Sequence, residues 1–180
     1  MPEISRRQFA SALAASVPMI AASRRVFAAS TAVGPRALTF VHTHTGERLA
    51  LEYFSGGEYL PDALSTVNHF LRDFRTGDVH PIDPELLDLL HHMTTKTGTS
   101  TPFQVISGYR SPATNEMLRQ HSEGVAAGSL HMKGQAIDVR LEDVPLPKLR
   151  AAALAVGRGG VGFYPVSNFV HVDTGRVRVW

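Results

Sequence analysis

The chain has 180 residues, 43% of them hydrophobic, which suits one buried core of ordinary domain size. It has no cysteine, so disulfides and thiolate metal ligands are excluded. The formal charge of +2 sits at the N-terminal end, where residues 1–28 hold Arg6, Arg7, Arg24 and Arg25 against Glu3 alone; the remainder stands at −1 and offers no clustered basic excess for nucleic acid.

At the start of the chain, Ser5-Arg-Arg-Gln-Phe9 precedes a mild apolar stretch, Phe9 to Ala22, that ends in small residues. This resembles a twin-arginine export signal over residues 1–30, with cleavage expected near Ala28 or Ala29. It implies a passage through the twin-arginine translocase, a periplasmic location and one domain over residues 31–180. The stretch is too short and too rich in Ala and Ser for a stable membrane span, which needs roughly 20 strongly apolar residues.

Residues 36–54 alternate, with Leu38, Phe40, His42 and His44 on one side, and a Thr45-Gly46 turn predicts a hairpin. His42 and His44 read as ordinary strand histidines, since no carboxylate motif accompanies them. From Pro61 to Arg75 the positions Leu64, Val67, Phe70, Leu71 and Phe74 predict a core-facing helix. A second helix is predicted from Pro84 to Gly98, with His91 and His92 about 100° apart and so unable to chelate together. Phe103 to Ile106 predicts a short buried strand that leads into Ser107-Gly-Tyr-Arg-Ser-Pro112, and Ser111 is the N-cap expected for a helix to His121. The Gly108 corner places Tyr109 and Arg110 at the strand's end, where Arg110 could meet a substrate carbonyl or carboxylate.

Residues 122–130 are small enough to form a lip over a groove or a plain connector. Ala136 to Leu141 then predicts a strand with Ile137, Val139 and Leu141 on the core face and Asp138 on the other. A helix follows over Pro145 to Val156, and Gly162 to Pro165 and residues 169–179 supply the last strands. In Phe169 to Thr174 the same period of two sends Val170 and Val172 inward and leaves His171 and Asp173 on the face that Asp138 shares. His131 precedes Asp138 across Gly134, which permits a tight return. Two imidazoles and a carboxylate would close on one metal ion, a donor set matched to zinc, with a fourth position left for water.

The combination Ser107-Gly-Tyr-Arg-Ser111, Ser129-x-His-x-x-Gly-x-Ala-x-Asp138, Gly162-Phe-Tyr-Pro165 and Phe169-Val-His-Val-Asp173 resembles the zinc peptidases related to D-Ala-D-Ala carboxypeptidases and VanX, and within them the YcbK-like murein endopeptidases. The resemblance implies an α+β fold of hedgehog/D-Ala-D-Ala-peptidase type, a small antiparallel sheet flanked by helices. It implies one zinc ion on His131, Asp138 and His171, and hydrolysis of peptide bonds in peptidoglycan stem peptides. Arg110 would orient substrate or stabilise the oxyanion, and Ser129 and Tyr109 would lie on the substrate side. Alternatives are a D,D- or L,D-carboxypeptidase or dipeptidase on stem peptides, and a zinc-stabilised cell-wall-binding module.

Many relatives carry a Glu, Asp or His two or three residues before the last ligand as general base, where this chain has Phe169 and Asn168. Asp173, on the ligand face of the same strand, is then the nearest titratable candidate for the base. Its other reading is a carboxylate that fixes a ligand histidine or pairs with Arg140 or Arg176.

Overall fold

Alternation from Arg36 to His42 builds β1, whose inward positions Leu38, Phe40 and His42 are buried. A turn closed by Gly46 N–H to His42 O at 2.9 Å returns the chain as β2, Arg48–Ser55, paired antiparallel with β1. The predicted hairpin is therefore present. The computed structural model describes residues 34–121 and 125–180, so the export signal expected over residues 1–30 lies outside the described residues, as does the part of the lip at 122–124.

After a two-residue β3, Glu58–Tyr59, helix α1 runs from Pro61 to Phe70. It stops short of Arg75 because one local and one long-range hydrogen bond take over its backbone. Asp73 Oδ1 accepts from Arg75 N–H at 3.0 Å, and the Leu71 carbonyl accepts from Tyr109 N–H at 2.8 Å, so the backbone groups that would continue the helix are engaged elsewhere. Phe74 lies outside the helix and stacks on His44 with ring centroids 4.2 Å apart. Helix α2, Pro84–Thr97, is capped by the Asp83 carboxylate on Glu85 N–H and ends at Gly98 in the left-handed region, as its sequence predicts.

Strand β4, Phe103–Ser107, leads to helix α3, Pro112–His121, whose first turn is capped by Ser111 Oγ accepting from Thr114 N–H at 3.2 Å. Strand β5 is Ala136–Arg140, helix α4 Leu146–Val156, β6 Gly160–Tyr164, β7 Phe169–Asp173 and β8 Arg178–Val179. The eight strands form one sheet in the order β3-β2-β1-β4-β5-β7-β6-β8. All pairings are antiparallel except β1 with β4 and β6 with β8, so the fold is α+β, with a larger sheet than expected. Helix α2 packs on β1, α4 packs on β6 and β7, and the two helices meet. Ile137, Val139, Val161, Val170 and Val172 face this core and are all but fully buried.

Between Ser129 and β5 the chain makes a single 3-10 turn, Leu130–Lys133, closed by Gly134 at φ +66°. A Cβ on Gly134 would collide with the Pro81 carbonyl oxygen, and the Gly134 carbonyl accepts from Asp83 N–H at 2.9 Å. The turn that carries His131 is thereby moored to the start of α2. Gly134→Ala combines a left-handed backbone with that collision, and is expected to lower stability by more than the roughly 1 kcal/mol of an unhindered Gly→Ala at positive φ. A drop in Tm of several degrees in thermal unfolding would be the readout, and an unchanged Tm would contradict it.

Candidate metal centre

Strand register explains why three distant residues meet. In the β5–β7 ladder Asp138 stands directly opposite His171, and Ala136 opposite Asp173. Directly paired residues on one face bring their side chains within about 5 Å, so the Asp138–His171 contact follows from the ladder alone. His131 arrives from the 3-10 turn. His131 Nε2, Asp138 Oδ1 and His171 Nδ1 converge, with separations of 3.2 Å between the two imidazole nitrogens, 2.9 Å from His171 to Asp138 and 3.3 Å from His131 to Asp138. All three side chains are buried, and together they make a group able to hold a metal ion.

The donor spacings suit a metal: ligands at ~2.0 Å in a tetrahedral site lie about 3.3 Å apart. The second nitrogen of each imidazole is also committed. His131 Nδ1–H donates to the Gly108 carbonyl at 2.8 Å, which leaves Nε2 with its lone pair toward the centre. His171 Nε2–H donates to Asp173 Oδ2 at 3.0 Å, which turns Nδ1 inward. Outer partners of this kind orient ligand rings and raise their basicity.

Asp173 does not fit the base expected of it. It is fully buried behind the His171 ring. Its Oδ1 accepts from Gly160 N–H, Gly175 N–H and Arg178 Nη1, and its Oδ2 from His171 and from Arg178 Nη2 at 2.7 Å. No lone pair is left facing the cleft. Its arginine partner is Arg178 rather than Arg140, which bonds Gln104, or Arg176.

Arg110 is placed at the site by a braced corner. Buried Asp73 accepts from Ser111 N–H at 2.9 Å, and Arg110 N–H donates to the His131 carbonyl at 3.2 Å. The guanidinium approaches Asp138 Oδ2 at 3.6 Å and Ser107 Oγ at 3.4 Å, and its buried Nε meets no acceptor among the described residues. Arg110 is among the residues that line the cleft. Ser129 also lines the cleft, at the N-cap of the 3-10 turn. Tyr109 does not: its ring packs edge-on to His80 at 4.8 Å and against the core. Tyr109, expected on the substrate side, is thus not among the residues that line the cleft.

The cleft measures about 560 Å³ and runs from Val125, Ala126 and Ser129 across the three donors to Tyr164, Phe169 and Trp180. Sequence reading did not single out Asp73, Arg178 or Trp180. Asp73 and Arg178 act through pairings set by tertiary contact, and only the two-residue β8 brings Trp180 to the site.

Charge is arranged around His171. Burial lowers its pKa, but hydrogen bonds from its two nitrogens to Asp138 and Asp173 outweigh burial and push it up to about 9. Burial acts to raise Asp138, and the His131 and His171 imidazoles overcome that and hold its carboxyl well below the usual carboxylate range. A metal must displace the proton on His171 Nδ1. Metal affinity is accordingly expected to rise from pH 7 toward pH 9, with net release of protons on binding. Calorimetric titration of metal-stripped protein in buffers of different ionisation enthalpy would read this, and an affinity flat across that range would contradict it.

An α+β sheet that floors a cleft with two imidazoles and a carboxylate, beside a half-buried arginine, places the chain among proteins with a candidate metal centre open to a ligand. The chain belongs to the family described as peptidoglycan L,D-endopeptidase MepK, whose profile matches residues 30–180. It is 48% identical over 154 residues to the peptidoglycan L,D-endopeptidase MepK of Escherichia coli (strain K12), covering 86% of this chain and 85% of the relative. It is 46% identical over 147 residues to the probable peptidoglycan L,D-endopeptidase MepK of Haemophilus influenzae, covering 81% and 79%. Among solved structures, the L-Ala D-Glu endopeptidase ChiX of Serratia marcescens aligns with 62% of this chain and 86% of its own length, at 20% identity and a TM-score of 0.39.

Proposed function

We propose that the chain is a zinc-dependent endopeptidase that hydrolyses peptide cross-links in peptidoglycan, with the L,D specificity that its relatives' names carry. The observation that supports it most is the convergence of His131 Nε2, Asp138 Oδ1 and His171 Nδ1 on the floor of a cleft beside Arg110. These three residues would hold the ion, and two imidazoles with one carboxylate are a donor set that suits zinc. Bound there, zinc supplies Lewis acidity and a nucleophile competent at neutral pH.

The chain's own residues set the geometry for that chemistry. The Gly108 carbonyl and the Asp173 carboxylate hold the two imidazoles in the tautomers that direct lone pairs inward. Arg110, braced through Ser111 and Asp73, carries a fixed positive charge to the edge of the donor set. There it would offset the negative charge that grows on the scissile carbonyl oxygen. Ser129 would hold the substrate backbone from the opposite rim. The leader over residues 1–30 would send the folded protein through the twin-arginine translocase to the periplasm, where the substrate lies.

Incubation of the zinc-loaded protein with purified peptidoglycan sacculi, followed by chromatography of the fragments, tests this reading. New fragments whose peptides end at an L,D bond are expected. Sacculi left intact by protein that holds zinc would contradict it.

A further inference from the structure

Tyr164 belongs to the donor-bearing face of the sheet. In the β6–β7 ladder Gly162 stands opposite His171, and Tyr164 opposite Phe169. Tyr164 is therefore the diagonal neighbour of a donor residue, about 7–8 Å from it along the backbone, with a phenol long enough to reach over the cleft it lines. Its ring stacks on Phe169 at 4.6 Å.

The position of its hydroxyl is fixed by Trp180. The main chain of Trp180 is tied to β6 by Trp180 N–H to Val161 O at 3.2 Å and Phe163 N–H to Trp180 O at 3.1 Å. Its ring lies on Gly162, where any Cβ would strike it, 5.2 Å from His171 and beneath the Arg178 guanidinium at 4.8 Å. Held this way, its Nε1–H donates to the Tyr164 hydroxyl at 2.8 Å. An indole N–H can only donate, so the phenol oxygen is the acceptor and the phenol proton is left for another partner. No protein acceptor takes that proton among the described residues, and Tyr164 lines the cleft. Accepting one hydrogen bond also strengthens the phenol as a donor.

Deepening the function proposed above, on which this rests, we propose that the Tyr164 hydroxyl, aimed by Trp180, donates a second hydrogen bond to the scissile carbonyl oxygen as it becomes an oxyanion. Arg110 reaches that oxygen from the other wall. A donor to the oxyanion acts on the transition state more than on the bound substrate, so its loss lowers kcat and leaves KM in place.

The test compares zinc-loaded wild type, Tyr164→Phe and Trp180→Phe by turnover of cross-linked stem peptide, by zinc content, and by calorimetric binding of a phosphinic pseudo-peptide in which the scissile CO–NH is replaced by PO₂–CH₂. In Tyr164→Phe, kcat is expected to fall roughly 10²–10³-fold, as when one oxyanion donor is removed. KM and zinc content should hold, and the phosphinic ligand should bind more weakly by a similar factor. Trp180→Phe keeps a ring but frees the hydroxyl to rotate, and should lose less.

Wild type that cleaves and binds, beside a Tyr164→Phe variant with unchanged kcat and phosphinate affinity, would overturn this inference alone. So would a variant that changes only KM, or one that loses zinc. Wild type that holds zinc but neither cleaves the peptide nor binds the phosphinate would overturn the proposed function and this inference together.

Discussion

His131→Ala is expected to leave the protein folded, without retained metal and without cleavage of sacculi. The substitution takes Nε2 from a three-donor set and leaves two donors, Asp138 Oδ1 and His171 Nδ1, on neighbouring strands. Two ligands from a carboxylate and one imidazole do not make the closed geometry that zinc takes in proteins. The loss should exceed the roughly 10–100-fold that removal of an outer partner of a ligand costs. Stability should change less, because His131 sits on a turn moored separately through Gly134 and Asp83. Elemental analysis beside near-ultraviolet circular dichroism checks both parts, and a folded variant that retains an equivalent of zinc would contradict the assignment of His131.

Substitution at Asp173 should give the second largest effect, and on two separate readouts. Asp173→Asn puts an amide NH₂ in place of one carboxylate oxygen, and at Oδ2, where it meets two donors rather than the three at Oδ1, it breaks the bonds from both His171 Nε2–H and Arg178 Nη2. The His171 ring then loses the partner that aims Nδ1 inward, and zinc affinity is expected to fall roughly 10–100-fold. Asp173→Ala should in addition unfold at lower temperature, because it strands the N–H groups of Gly160 and Gly175 and the Arg178 charge. Breaking a buried pair costs about 3–5 kcal/mol, and the low end applies here since a third of the Arg178 side chain remains in water. With zinc saturating, Asp173→Asn should keep the acid limb of its pH–rate profile. Loss of that limb would restore Asp173 as the general base.

What the sequence disclosed follows from which interactions are local. The period of two along β5 and β7 was enough to place Asp138 and His171 on one face, and Gly134 marked the tight return of His131. The same period put Asp173 on that face and so made it resemble a cleft residue. Side-chain alternation says which face a residue takes but not which side of a neighbouring ring it stands on, and Asp173 stands behind His171. The helix expected to reach Arg75 ends at Phe70 because Asp73, two residues before Arg75, and Tyr109, from the distant end of β4, claim its backbone groups, and only the first of these contacts is local. Strands β3 and β8 have two residues each, too few for any periodicity, yet β8 delivers both Arg178 and Trp180 to the site. The hairpin from Arg36 to Ser55 and the caps at Asp83, Gly98 and Ser111 are short-range features, and the chain spells them out.

The decisive measurement is reconstitution. Protein stripped with a chelator would be titrated with zinc while muropeptide release from sacculi is followed. Release that is absent at the start, rises with added zinc and levels off near one equivalent is the predicted result. Full release by the stripped protein, or saturation with zinc while the sacculi stay intact, would contradict a single catalytic zinc on His131, Asp138 and His171.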